Sequence, residues 1–397
     1  MLPSMHDMPD SRNWFAPTPL HRYRVFNRGE RQGMAIQLDG RRLVNFSGND
    51  YLGLSFHTEV CRAAVAAIKS DGTGSGASRL ISGDAPLLHR LEMELAAFKG
   101  FEAALLVGSG MLANTGVLPA LADRHSTLCC DRLNHASLVD GARLSAANVV
   151  RYSHLDMRNL ELSLQKQSDK GNRKIIVSDG VFSMDGDCAN VGALLKLAER
   201  YDALLLLDDA HGFGTLGKDG RGLSAMAAVG GHARLVEVGT CGKALGSYGA
   251  FILGTNNMID GLRQRLRTMT YSTALPVSVC AASLAALQVL KKGEVVRQLH
   301  KNIYFFRDAA RRLNLPLPTS ETPIQPLLIG DDAAALKVSE ALAARGFFVA
   351  AIRPPTVPQG TARLRITLSA AHSEQEIDAL VQALAEELLG VSVGVTG

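Results

Sequence analysis

The sequence holds no CxxC pair. Its six cysteines, Cys61, Cys129, Cys130, Cys188, Cys241 and Cys280, are scattered, so a zinc site of the usual spacing is excluded. Most sit among apolar or small residues, as reduced core thiols do. Neither sign of charge dominates: 42 lysines and arginines against 38 aspartates and glutamates leave a formal net charge of +4. That balance is too mild for a nucleic-acid binder and compatible with small acidic substrates. A membrane span needs a uniformly apolar run of ~20 residues, and none is present. The two long uncharged stretches are interrupted, 103–122 by Gly108, Gly110, Asn114 and Pro119, and 268–290 by Ser272, Thr273 and Pro276. Met1 to Phe15 lacks the apolar centre of a signal peptide. Internal repeats and low-complexity tracts are also missing. The expectation is a cytosolic protein with neither membrane nor nucleic-acid partners.

What is there is globular. The chain has 397 residues, 47% hydrophobic and 20% charged, a length that suggests two or three domains. Its 38 glycines cluster beside apolar runs, where backbone must turn tightly or approach a ligand. Residues 1–45 read as a polar, arginine-containing arm ending in a hairpin that turns at Asp39-Gly40. Residues 46–285 read as a large domain and 286–397 as a smaller α/β domain. A helix is expected over Thr58–Ser70, with Val60, Ala63, Ala64, Ala67 and Ile68 on one buried face. Six short, mainly apolar runs follow: Ala103–Val107, Thr127–Cys130, Lys174–Val177, Ala203–Leu207, Leu235–Val238 and Ala250–Leu253. Runs without polar alternation are buried on both faces, so the fold class is α/β, a mostly parallel sheet covered by helices such as Leu194–Tyr201. In the tail, Pro326–Ile329, Phe347–Ile352 and Arg363–Thr367 read as strands. Ser373-Glu374-Gln375-Glu376 is a capping box opening a helix that buries Ile377, Leu380, Val381 and Leu384.

Two glycine motifs mislead. Gly212 to Gly217 fits GxGxxG, yet a dinucleotide-binding turn must open directly into an apolar-faced helix. Here Lys218-Asp219-Gly220-Arg221-Gly222 follows, which is a loop. A P-loop would need Ser or Thr after Lys218, where Asp219 stands and would repel a phosphate.

The ends of the apolar runs carry the chemistry. Leu204–Leu207 delivers Asp208-Asp209-Ala210-His211. Leu235–Val238 delivers Gly239-Thr240-Cys241-Gly242-Lys243. The other ends deliver His135, the segment Ser178 to Asp187 containing Ser183, and Gly108-Ser109-Gly110-Met111. In a parallel sheet these ends converge on one edge. A lysine, a carboxylate, two histidines, hydroxyls and a glycine-rich helix start form the inventory for pyridoxal phosphate. The lysine forms a Schiff base with the aldehyde, the carboxylate pairs with the pyridinium nitrogen, and N–H groups at the helix start hold the phosphate. Singly, each has a plainer reading: Asp208 as a turn residue, Lys243 as a solvated lysine, His135 as a structural histidine, Gly108 and Gly110 as turn glycines. The cofactor accounts for them together.

Phe46 to Leu54 (Phe-Ser-Gly-Asn-Asp-Tyr-Leu-Gly-Leu), Gly74 to Gly83, the Asp208-His211 segment and Thr240-x-Gly242-Lys243 together resemble the α-oxoamine synthases. These are fold type I pyridoxal-phosphate enzymes that condense an amino acid with an acyl thioester and lose CO₂. The resemblance implies that Lys243 carries the cofactor and acts as base. It pairs Asp208 with the pyridine nitrogen, sets His211 and Ser183 near the phenolic oxygen, and stacks His135 on the ring. Gly110, Met111 and Thr240 would hold the phosphate, joined by Ser272 and Thr273 from the other subunit of a homodimer. Asn49 would lie beside the substrate, and Arg353 would clamp its carboxylate.

Gly180 to Asp187 and Ala351 to Pro358, which includes Thr356, are similar to the family member that joins L-alanine to a pimeloyl thioester in biotin synthesis, the carrier being coenzyme A or an acyl carrier protein. Relatives of the 5-aminolevulinate synthase type, which use glycine, carry threonine where this chain has Ser78. The smaller residue leaves room for a methyl group, though one side chain sets only a modest preference. The alternative is another member, of the glycine C-acetyltransferase or 5-aminolevulinate synthase type, with a different amino acid and acyl-CoA. Arg22 in the arm is a candidate contact for the thioester's phosphates or an acidic carrier surface.

Overall fold

The computed structural model describes residues 29–167 and 172–389. Arg22 and most of the arm lie outside the described residues. The hairpin is present: β1 (Glu30–Gln32), β2 (Ala35–Leu38) and β3 (Arg41–Asn45) form an antiparallel meander. Asp39 and Gly40 close it at φ 48° and 75°, the left-handed pair that a two-residue turn requires.

The central sheet contains β4 (Ala103–Val107), β5 (Thr127–Asp131), β6 (Asn148–Tyr152), β7 (Lys174–Asp179), β8 (Ala203–Asp208), β9 (Leu235–Thr240) and β10 (Ala250–Gly254). Their order is β4-β10-β9-β8-β7-β5-β6. Successive side chains alternate between two buried faces. Leu105, Leu128, Ile175, Leu206 and Val236 lie in one cluster, and Leu106, Cys129, Ile176, Leu205 and Phe251 in the other.

Three features differ from expectation. The run Ala250–Leu253 becomes β10, antiparallel to both β4 and β9. A strand buried on both faces carries no signal of direction, so its apolar run reads alike in either sense. Strand β6 has no counterpart among the apolar runs. It sits at the sheet edge with Asn148, Val149 and Arg151 exposed, and an edge strand needs no continuous apolar run. The helix Thr58–Asp71 packs on the helix Val277–Lys291, but of the expected face only Val60 and Ala67 are buried, and Ile68 is 43% exposed.

In the tail, β11 (Ile324–Gly330) is followed by the helix Asp332–Ala344, after which the apolar stretch expected as one strand divides into β12 (Phe347–Phe348) and β13 (Ala350–Ile352). Strand β12 pairs in parallel with β3 and completes the N-terminal sheet, while β14 (Ala362–Thr367) lies between β11 and β13. The capping box at Ser373 forms, and Ile377, Leu380, Val381 and Leu384 are buried beneath it. Cys129, Cys130, Cys241 and Cys280 are buried free thiols, whereas Cys61 and Cys188 are exposed. Among the described residues no helix is long and apolar enough to cross a membrane.

One ionic cluster sits fully inside. Lys99 Nζ lies 2.5 Å from Glu237 Oε1 and 3.2 Å from Asp209 Oδ2, with all three side chains inaccessible. Burial works against the ammonium charge, but the two carboxylates outweigh it and raise the lysine's pKa. Lys99→Met would leave two carboxylates facing each other in the interior. It should destabilise the fold by about 3–5 kcal/mol, read as a lower urea midpoint; a change under about 1 kcal/mol would contradict this account.

Candidate active site

The carboxyl ends of the parallel strands meet as expected. Gly110, Met111, His135, Ser183, Asp208, His211, Thr240 and Lys243 line one cavity of about 200 Å³. Each arrives by a local rule. Asp208 is the last residue of β8. His135 caps the helix Ala136–Leu144, its Nδ1 accepting from the Ser137 N–H at 3.2 Å. Gly110 opens the helix Gly110–Leu121, which Ser109 caps through the Leu112 N–H.

The Asp208 carboxylate is held from two sides. Asn114 Nδ2 donates to Oδ2 at 2.6 Å, and the Ala210 N–H donates to Oδ1 at 3.0 Å. Asn114 also donates to Ser137 Oγ at 2.9 Å, so one helix ties Asp208 to the His135 loop. Asp179, ending β7, accepts the His135 N–H at 2.5 Å. Burial first, and then the neighbouring Asp208 charge, push the Asp179 carboxyl well above the usual range. Thr240 Oγ1 donates to the Gly249 carbonyl and accepts from the Gly242 N–H, shaping the turn that carries Lys243.

Burial pulls the Lys243 ammonium down to about 8 against the opposing pull of Asp208 and Asp179, with Arg365 adding to the depression. Burial likewise lowers His135, and it drives His211 well below the usual histidine value. The cavity thus offers a readily deprotonated amine, neutral imidazoles and a carboxylate fixed by two donors.

The remaining expected residues lie elsewhere. Ser272 and Thr273 line a separate narrow cleft with Arg79 and Gly108. Ser78 is half-buried in a turn, its carbonyl accepting from Ile81 and Gly83. Arg353 and Thr356 follow β13 in a turn in which the Thr356 N–H donates to the Arg353 carbonyl at 3.0 Å; neither lines the cavity. Asn49 is nearer the chemistry, since its Oδ1 accepts from Arg365 Nη2 and from the Tyr51 hydroxyl, each at 3.2 Å.

Sequence reasoning passed over Asn114, Asp179, Tyr51 and Arg365. Asn114 was visible as the amide inside an otherwise apolar helix. Arg363 and Arg365 read as ordinary strand residues, yet both are buried. Arg365 Nε donates to the Ser183 carbonyl at 2.6 Å, and its charge reaches Lys243 and His211. It is the guanidinium that β14 directs toward the site.

A second cluster anchors the Ser183 segment. His154 Nδ1 lies 3.0 Å from Asp131 Oδ1 and Nε2 2.8 Å from Asp187 Oδ2. Burial opposes its charge, but hydrogen bonds to Asp131 and Asp187 prevail and hold it at about 9. An unfolded histidine titrates near ~6.5. The ion pairs therefore stabilise the fold fully below ~6.5, and that contribution fades as pH rises through about 9. His154→Gln should flatten the decline in urea midpoint across this window; an identical pH profile in both proteins would remove the assignment.

The groups fit pyridoxal phosphate. A Cβ added to Gly110 would meet nothing within 4 Å, so the first turn of its helix faces open space where backbone N–H groups suit a phosphate. Among the described residues no group of side chains could hold a metal.

The chain matches the profile for aminotransferase class I and II over residues 41–384. It is 47% identical over 370 residues to the 8-amino-7-oxononanoate synthase of Nitrosococcus oceani, covering 93% of this chain and 97% of that one. Among solved structures, SPT with PLP superposes with a TM-score of 0.87 at 26% identity over 92% of each chain. The 8-amino-7-oxononanoate synthase of Francisella tularensis gives 0.74 at 28%, covering 87% of this chain and 98% of that one. The chain belongs to the class I and II aminotransferase family.

Proposed function

We propose that this chain is a pyridoxal-phosphate-dependent acyltransferase that condenses L-alanine with a pimeloyl thioester, releasing CO₂ and thiol and forming 8-amino-7-oxononanoate for biotin. The observation that carries the chemistry is the cavity shared by Lys243 and the doubly held Asp208. The choice of substrates rests on the names of relatives such as the Nitrosococcus oceani and Methylococcus capsulatus synthases, 47% and 48% identical.

When bound, the cofactor supplies an electron sink that makes the amino acid's Cα acidic and accepts the electrons left by CO₂. The protein does the rest. Lys243 Nζ would hold the cofactor at its aldehyde and would serve as the base for the Cα proton; its lowered pKa of about 8 would keep it available for both. Asp208 holds a negative charge for the ring nitrogen. His135 would supply a flat face for the ring, and His211 and Ser183 would supply polar contacts near its phenolic oxygen. Gly110, Met111 and Thr240 hold the phosphate.

For the substrate carboxylate, Arg365 has the better geometry, with Asn49 beside it. Arg353 and Thr356 form a turn suited to meeting the acyl group, and Ser78, in a turn outside this chain's own cavity, would bear on the amino-acid preference only from the partner's side of a homodimer. Ser272 and Thr273 lie outside this chain's own cavity, which agrees with their serving the partner's site in a homodimer. A cytoplasmic location accords with the substrates.

A substrate panel tests the reading. Alanine, glycine and serine would be paired with pimeloyl, succinyl, acetyl and palmitoyl thioesters, with CO₂ and free thiol followed. Alanine with a pimeloyl thioester should give the highest kcat/KM, and running both the coenzyme A and carrier-protein forms identifies the carrier. Preference for glycine with succinyl-CoA would overturn the substrate assignment.

A further inference from the structure

We propose that Arg363 is a positioning residue for the reaction: paired with Asp185, it fixes the turn that presents Ser183 to the Lys243 cavity. Ser183 lines that cavity in a turn that follows β7. The turn is closed by the Phe182 N–H, which donates to the Asp187 carbonyl at 3.0 Å, and by the Gly186 N–H, which donates to the Phe182 carbonyl at 2.8 Å. Those bonds leave the carbonyls of Ser183, Met184 and Gly186 for other partners, and a carbonyl shut off from water needs a donor.

All three are met by side chains from β14 and from the loop before β11, far along the chain. Arg365 Nε donates to the Ser183 carbonyl at 2.6 Å. Arg363 Nη1 donates to the Met184 carbonyl at 3.2 Å and to Asp185 Oδ1 at 2.5 Å. The Gly186 carbonyl meets the hydroxyls of Ser320 and Thr322 at 2.8 and 3.2 Å. Gly186 itself stands at φ 70°, and a Cβ there would collide with the Ile324 carbonyl oxygen, so the close approach of this turn to β11 requires glycine.

Arg363 and Arg365 are two apart on β14 and share one face of the strand, while Leu364 and Ile366 enter the core on the other. Two guanidiniums on one face thus meet successive carbonyls of the turn. A guanidinium can only donate, so the direction of each bond is fixed. Arg363 adds the carboxylate of Asp185, and a charge-assisted bond is roughly twice as strong as a neutral one; only 10% of the arginine side chain is exposed. His154 braces the far end of the turn through Asp187 Oδ2 at 2.8 Å. The turn is therefore clamped between the seven-stranded sheet and β14, and Ser183 is held where it lines the cavity. That Ser183 serves the bound cofactor rests on the function proposed above, whereas the brace itself does not.

The test is hydrogen exchange by mass spectrometry on the full chain without pyridoxal phosphate, followed by steady-state kinetics with it. In Arg363→Gln the segment 180–188 should exchange about tenfold faster, the size of one charge-assisted hydrogen bond, with the rest of the central sheet unaltered. Asp185→Ala, at a side chain 34% exposed, should do the same and decides the matter if Arg363→Gln does not fold. Because Arg363 acts through Ser183, either variant should lower kcat about as much as Ser183→Ala does, roughly tenfold, with the alanine KM little changed. Arg363→Gln combined with Ser183→Ala should then be no slower than Ser183→Ala alone. Unchanged exchange at 180–188 overturns the proposal, and so does acceleration spread over the whole central sheet. A double variant whose two losses multiply overturns it as well. The exchange is read without cofactor, so failure there is distinct from failure of the cofactor assignment, which would appear as absent turnover in the unaltered protein.

Discussion

Lys243→Ala is expected to lower turnover by about 10³-fold or more and to abolish the visible absorbance that depends on a covalent bond between Nζ and the cofactor. One substitution removes two roles. The nucleophile for the aldehyde is lost, and so is the base poised over the substrate Cα. Burial sets the size of the second loss by holding the amine at about 8. At pH 7 roughly a tenth of such a lysine is neutral, against less than about one in a thousand for an ordinary lysine near ~10.4. Lys243→Arg should not restore activity, because a guanidinium stays charged and cannot take the proton. The measurements are CO₂ release and the absorption spectrum of the purified variant. Normal turnover in Lys243→Ala would remove the mechanism.

Asp208→Asn should lower turnover by about 10²–10³-fold with little change in structure. The substitution preserves size and keeps an amide oxygen that can accept from Asn114 or Ala210, the two donors now on the carboxylate. What disappears is the negative charge that keeps a ring nitrogen protonated and the cofactor an electron sink. The loss should fall on kcat, because the missing interaction is felt most where electrons flow into the ring. A fall of less than about tenfold, with the spectrum unchanged, would mean that Asp208 does not face that nitrogen.

How far these residues could be read from the chain follows from the kind of signal each leaves. Asp208 directly ends an apolar run and Lys243 lies in the turn just beyond another, and an apolar run that gives way to polar residues marks a strand end in one dimension. The parallel direction of most strands then brings those ends together. His135, Thr240 and Gly110 are legible for the same reason. Asn114 is harder because its significance comes from Asp208, 94 residues away. Arg365 is harder still. Arg-x-Arg on a short strand looks solvated until Ser183 and Asn49 close over it. The helix Thr58–Asp71 shows the converse: its periodic face was clear, but periodicity says which residues can be buried and not what covers them, and Ile68 stays exposed.

The sequence by itself determined the alternation of apolar runs and helices, the residues at the strand ends and the chemistry they can perform together. Those are local properties, written in spacing and side-chain type. Only the tertiary structure decided that β10 runs against its neighbours, that the stretch 347–352 divides between two sheets, and that Arg365 is buried against Ser183 and Asn49. Each of those depends on contacts between residues far apart in the chain, where strand direction, sheet membership and the burial of a charge are settled by the partner surface and leave no periodic trace.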